Sequence, residues 1–173
     1  EGWQQYLLCQ NLATLLWLGQ MANLEFHVWF SRVTSKADGE DIPEFNGPAK
    51  ESGDFYSGYP DFLIFDLDPY IYSGHEARGA EPELNRQAYA RTCRVAMWLK
   101  EMLDSLSLES FVKTSGRTGL HVHVPDRRRF SFDVVRRAAA TIAARLVQDH
   151  PRDITVEWAV AKRTGKVFAD YNQ

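Results

Sequence analysis

The residues most able to do chemistry in this chain are two acids separated by one leucine, in Phe65-Asp66-Leu67-Asp68-Pro69. Residues two apart on a strand project to the same face. Phe62, Ile64, Asp66 and Asp68 therefore share one face, and Leu63, Phe65 and Leu67 share the other. Two carboxylates side by side repel, and one of them would take up a proton unless a cation relieved the conflict. Oxygen donors of this kind suit Mg²⁺ or Mn²⁺. A solvated strand end carrying two acids is the alternative.

A second candidate is the stretch Lys113-Thr114-Ser115-Gly116-Arg117-Thr118-Gly119-Leu120-His121. Its two glycines allow backbone N–H groups to approach an anion closely. Ser115, Arg117 and Thr118 add donors, and His121 and His123 share a face of the strand that follows. By spacing alone, an ordinary hairpin turn explains these residues equally well. The third candidate is Lys166-Val167-Phe168-Ala169-Asp170-Tyr171, where Lys166, Phe168 and Asp170 share a face. A lone acid in an apolar strand calls for a partner, either a neighbouring base or a metal. His27, in Glu25-Phe26-His27-Val28-Trp29, is by itself more often a satisfied core or rim residue than a catalytic one.

Helices and strands must position these groups. Trp3 to Met21 reads as a helix with Leu8, Leu12, Leu15 and Leu16 along one stripe. Leu24 to Phe30 reads as a strand. Val33 to Pro60 is polar, rich in glycine and aperiodic, and is expected to be a surface loop peripheral to the site. Asp61 to Asp68 is a strand. Leu84 to Leu106 is a helix burying Ala88, Val95, Leu99 and Leu103. Phe111 to Thr114 and Leu120 to Val124 form a hairpin. Ser131 caps a helix through Gln148, with Val134, Ala138, Ile142 and Leu146 inward. Ile154 to Val156 and Lys166 to Tyr171 complete the strands. The expectation is an α/β fold, α+β-like in layout, with a mixed, partly antiparallel sheet and packed helices.

The chain has 173 residues, 45 % of them hydrophobic, enough for one core without internal repeats. Its net charge of −3 does not mark a general nucleic-acid binder. Acids crowd between Asp38 and Asp54. Bases gather at Arg127 to Arg129, at Arg136 and Arg137, and at Lys162, Arg163 and Lys166, so a locally basic face is compatible with the sum. Cys9 and Cys93 read as buried free thiols. No apolar run reaches the roughly 18 residues of a membrane span, so no membrane partner and a cytoplasmic setting are expected.

Taken in order, these segments resemble the polymerase domain of prokaryotic ATP-dependent DNA ligase D, in the archaeo-eukaryotic primase superfamily. The matching stretches are Asn11 to Leu18, Leu24 to Trp29, Asp66 to Pro69, Lys113 to His121 and Gly165 to Tyr171. The resemblance implies a primase-polymerase catalytic core that adds nucleotides to DNA or RNA ends in non-homologous end joining. It implies that Asp66, Asp68 and Asp170 hold two divalent ions, Mn²⁺ or Mg²⁺, for two-metal phosphoryl transfer. Ser115 and His121, with Gly116, Arg117, Thr118 and Lys166 beside them, would contact the nucleotide, and His27 would face its triphosphate. Thr118 stands where many relatives carry lysine, and Arg117 is expected to supply that charge. The implied partners are DNA ends or a primer-template and nucleoside triphosphates, ribonucleotides among them, with a DNA ligase domain and a Ku protein as candidates. Residues 1–173 are expected to form one catalytic-core domain without the flanks that relatives carry on either side. A non-catalytic nucleic-acid-binding module of the same fold is the first alternative. A haloacid-dehalogenase-type phosphatase is a weaker one, because Tyr70 stands where that motif wants threonine or valine.

Overall fold

A computed structural model of the chain describes residues 7–9, 11–23, 26, 28, 30, 59–70, 85–126 and 129–172. The expected strand over Leu24 to Phe30, the loop from Val33 to Pro60 and His27 fall wholly or largely outside these residues.

The described elements run in the order α1 (Leu12–Gln20), β1 (Phe62–Pro69), α2 (Arg86–Ser105), β2 (Phe111–Thr114), β3 (Leu120–Pro125), α3 (Phe132–Asp149), β4 (Ile154–Thr155) and β5 (Val167–Asp170). The strands form one sheet in the order β2-β3-β1-β5-β4. β1 is central and antiparallel to both β3 and β5, while β4 runs parallel to β5. The mixed, partly antiparallel sheet read from the sequence is the observed one.

The alternation of β1 divides the sheet as its sequence dictates. Leu63, Phe65 and Leu67 are buried in a core shared with Val122 and Val124 of β3 and Val167 and Ala169 of β5. Helices α2 and α3 cover that face. Full burial of a side chain such as Phe65 or Leu67 contributes about 1.5–3 kcal/mol.

Helix α2 starts where Asn85 accepts hydrogen bonds from the N–H groups of Gln87 and Ala88, at 3.1 and 3.0 Å. That satisfies donors the helix itself leaves unpaired. Its buried stripe is Ala88, Thr92, Val95, Leu99 and Leu103. Thr92 keeps its hydroxyl satisfied by donating to the Ala88 carbonyl at 3.0 Å. Helix α3 follows Ser131, whose side chain makes no capping bond; Asp133 in the first turn complements the helix dipole instead.

Three expectations need correction. The inward face of α3 is Ala139, Ile142, Ala143 and Leu146, with Val134 and Ala138 exposed. Alanines have little apolar weight in a periodic pattern, yet two small residues are what lets a helix backbone approach a sheet. The helix expected over Trp3 to Met21 begins, within the described residues, only at Leu12, with Asn11 capping the Thr14 N–H at 2.8 Å. Cys9 is exposed rather than buried, and Cys93 is partly buried; both are free thiols.

Candidate active site on the sheet face away from the helices

Strand register assembles the polar residues on the face away from α2 and α3. Asp66 of β1 pairs with His121 of β3 on one side and with Asp170 of β5 on the other. His121 in turn pairs with Lys113 of β2. One row across four strands therefore reads Lys113, His121, Asp66, Asp170. Two residues along β1, Asp68 pairs with Phe168.

The two carboxylates of this row are directly opposed, which is unfavourable for like charges. Burial and, after it, the charge of Asp170 push the Asp66 pKa up to about 6, while Lys113 pulls the other way. His121 Nε2 lies 3.4 Å from Asp66 Oδ1. That contact is not a hydrogen bond, and Asp66 Oδ1 is shut off from solvent without one. Nor is His121 primed to supply charge. Burial lowers its pKa, with Lys113 adding to the effect and Asp68 opposing it. A buried carboxylate oxygen lacking a donor, opposite a second carboxylate, fits a hard divalent cation. As the side chains stand, no group of three His, Cys, Asp or Glu among the described residues forms a ready-made ligand set.

Between β2 and β3, the hairpin turn brings Ser115 to Asp68. The Ser115 N–H donates to the Gly119 carbonyl at 3.2 Å and closes the turn. A Cβ at Gly119 would lie 2.8 Å from Asp68 Oδ1, 2.8 Å from Ser115 Oγ and 3.1 Å from the Leu67 carbonyl oxygen. Only glycine leaves room there for both the serine and the acid. Gly116 takes φ +99°, a conformation that side chains disfavour. Arg117 is exposed at the tip and Thr118 is half-buried beside it.

The register thus brings Asp66, Asp68, Asp170, His121 and the Ser115 turn to one region of one face. It does not bring Lys166. That ammonium donates to the Pro151 carbonyl at 2.8 Å, at the opposite end of β5 from Asp170. The neighbouring bases are also engaged elsewhere. Lys162 pairs with Glu157 at 3.1 Å. Arg163, which charge alone assigns to a basic surface, is buried. Its guanidinium donates to the Glu157 carbonyl, the Trp158 carbonyl and the Tyr70 hydroxyl at 2.7, 2.7 and 2.8 Å. It also stacks 3.5 Å over the Phe168 ring. Because Phe168 is the cross-strand partner of Asp68, this buried arginine braces the end of the site. The Tyr70-Arg163 pairing links residues far apart in sequence, so no local signal announces it.

Comparison with known proteins decides what this arrangement belongs to. The family described as "LigD, primase-polymerase domain" matches residues 1–173. The chain belongs to the LigD primase-polymerase family. The dehalogenase-type reading falls with that assignment. Among curated relatives of this LigD domain, the Mycobacterium bovis multifunctional non-homologous end joining protein LigD is 30 % identical over all of this chain and 19 % of its own length. The Bacillus subtilis bifunctional non-homologous end joining protein LigD is 25 % identical over all of this chain and 23 % of its own length. The chain therefore spans about a fifth of the LigD proteins it matches. A solved structure of the polymerase domain from Mycobacterium tuberculosis ligase D in complex with DNA is similar at a TM-score of 0.66 and 30 % identity. It covers 91 % of this chain and 46 % of that one. No described helix is long and apolar enough to cross a membrane.

Proposed function

We propose that this chain is a nucleotidyltransferase core that extends DNA ends or a primer-template from nucleoside triphosphates during non-homologous end joining. The observation that carries the reading is the register pairing of Asp66 with Asp170, together with the buried, undonated Asp66 Oδ1. Asp66, Asp68 and Asp170 would hold Mn²⁺ or Mg²⁺. Such ions supply Lewis-acid stabilisation of phosphoryl oxygens and lower the pKa of a bound hydroxyl. In the reaction the primer 3′-hydroxyl oxygen bonds the α-phosphorus, the bond from that phosphorus to the bridging oxygen breaks so that pyrophosphate leaves, and the hydroxyl proton passes to solvent.

The chain's own residues do the rest. The Ser115 hydroxyl and the turn around Gly116 offer donors to phosphate oxygens next to Asp68. His121, in the row between Lys113 and Asp66, is placed to donate a hydrogen bond to a phosphate oxygen. Arg117 brings positive charge to the tip of the turn. Phe168, under the Arg163 guanidinium, fixes the surface beside Asp68. A DNA ligase domain and a Ku protein remain the proposed partners, on the strength of the relatives' end-joining names.

The experiment is extension of a labelled primer-template with Mn²⁺ or Mg²⁺, comparing wild type with the Asp66→Ala, Asp68→Ala double variant. Longer products from wild type alone support the reading. DNA binding without extension by wild type, at any metal concentration, would overturn it in favour of a non-catalytic binding module.

A further inference from the structure

Two residues along from the carboxylate row, away from the Ser115 turn, the same face changes character. Phe111 of β2 pairs with His123 of β3, which pairs on its other side with Ile64 of β1. Phe62 of β1 meets the His123 ring edge-on, with centroids 5.6 Å apart. His123 Nε2 is shut off from solvent without a hydrogen bond, so the ring serves as aromatic surface rather than as a polar contact. Phe111 is 55 % exposed and Phe62 39 % exposed. Same-face rows on a strand lie roughly 7 Å apart, about the span of one nucleotide unit. Along the strands, the face away from α2 and α3 therefore presents the polar turn, then the acids, then an aromatic strip, with the exposed Lys113 next to the strip.

Positive charge beside flat, exposed rings is the chemistry that receives single-stranded nucleic acid, because every base has a face to stack and every phosphate a charge to neutralise. We propose that Phe111, His123 and Phe62 form a stacking ledge for the terminal base of the strand whose 3′ end is presented to Asp66 and Asp170, with Lys113 on the adjoining phosphate. This rests on the function proposed above, since it needs the acids to be the reacting centre. A peptide strand added to the β2 edge is the competing occupant. It would bind through backbone N–H and C=O groups, with no dependence on a base.

The test is binding of an oligonucleotide carrying 2-aminopurine at its 3′ end, and of the same oligonucleotide with an abasic 3′ end. Wild type should quench the fluorophore. Phe111→Ala and the abasic end should each weaken binding about tenfold, and together no more than either alone, because both remove one stack. Phe111→Trp should restore affinity. Phe111 is exposed, so the alanine variant keeps its core, and a matching melting curve confirms that. Affinity unchanged by Phe111→Ala, or effects of variant and abasic end that simply add, would overturn the ledge. Mn²⁺ titration of wild type by spin resonance reads the acids separately. If Mn²⁺ binds and the stacking signature is missing, the ledge alone fails. Quenching lost in Phe111→Ala without any Mn²⁺ binding would keep a base-stacking surface, but sink the reacting centre and with it the assignment of the base as a substrate terminus.

Discussion

Asp66 and Asp170 face each other across β1 and β5 as register partners. The protein without metal bears this repulsion as a cost, and the cation proposed above would remove it. Replacing Asp170 by Asn should therefore stabilise the metal-free fold by roughly 0.5 kcal/mol, a rise of a few degrees in melting temperature. The same change should weaken Mn²⁺ binding by about tenfold or more. Melting with chelator and Mn²⁺ titration check the two halves. A drop in both stability and affinity would mean that Asp170 has a structural role instead.

The raised pKa of Asp66 has a signed consequence for stability. An unfolded chain releases this proton near its ordinary value of 3.8, whereas the fold retains it to about 6. Between those values the native state binds more protons than the unfolded one, so stability falls as pH rises. The contribution is fully present below the unfolded value and gone above about pH 6. In chelator, the difference in melting temperature between wild type and Asp66→Asn should change across this window. A constant difference would remove Asp66 as its source.

Gly119 and Gly116 should respond differently to alanine. At Gly119 the added methyl would press on Asp68, Ser115 and the Leu67 carbonyl. A loss of about 1–3 kcal/mol is expected, with weaker nucleotide binding. At Gly116 the space is open and only the positive φ is strained, so about 1 kcal/mol is expected and the packing of Asp68 and Ser115 about Gly119 should survive. Chemical denaturation and nucleotide titration of the two variants make the comparison. Equal binding losses would show that the approach at Gly119 is not special.

Arg163→Ala should cost roughly 2–4 kcal/mol, because the Glu157 and Trp158 carbonyls lose their donors. Arg163→Lys should recover little, since an ammonium cannot serve three acceptors and lie flat on Phe168 at once. Denaturant unfolding of both variants measures this, and full rescue by lysine would disprove the need for the planar group.

The sequence carries its local patterns plainly and its long-range pairings not at all. Alternation from Phe62 to Asp68 is enough to place both acids on one face, and the α2 stripe from Ala88 to Leu103 is legible at helical spacing. Nothing local says that β5 rather than β3 lies beside Asp66 on the Asp170 side, because strand order is settled by how the whole core closes. Charge misleads at Arg163, since a guanidinium surrounded by rings and carbonyls is indistinguishable in sequence from one in water. The small residues Ala139 and Ala143 escape a hydrophobic count for the opposite reason, having too little side chain to register. His27 and the loop expected over Val33 to Pro60 lie outside or almost outside the described residues.

The strand order has a consequence for how the protein comes into being. Asp66, Asp68 and the Ser115 hairpin belong to strands that can pair as soon as β3 has been made. Asp170 comes from a much later segment, and β5 must slot between β1 and β4 before it reaches Asp66. Such non-local pairing is slow, because the intervening chain has to be ordered first. A nascent chain still on the ribosome, emerging N-terminal part first, therefore holds half a carboxylate site. It has no opposed acids yet, and on the proposed function metal capture would be a late event of biosynthesis that reports completion of the sheet.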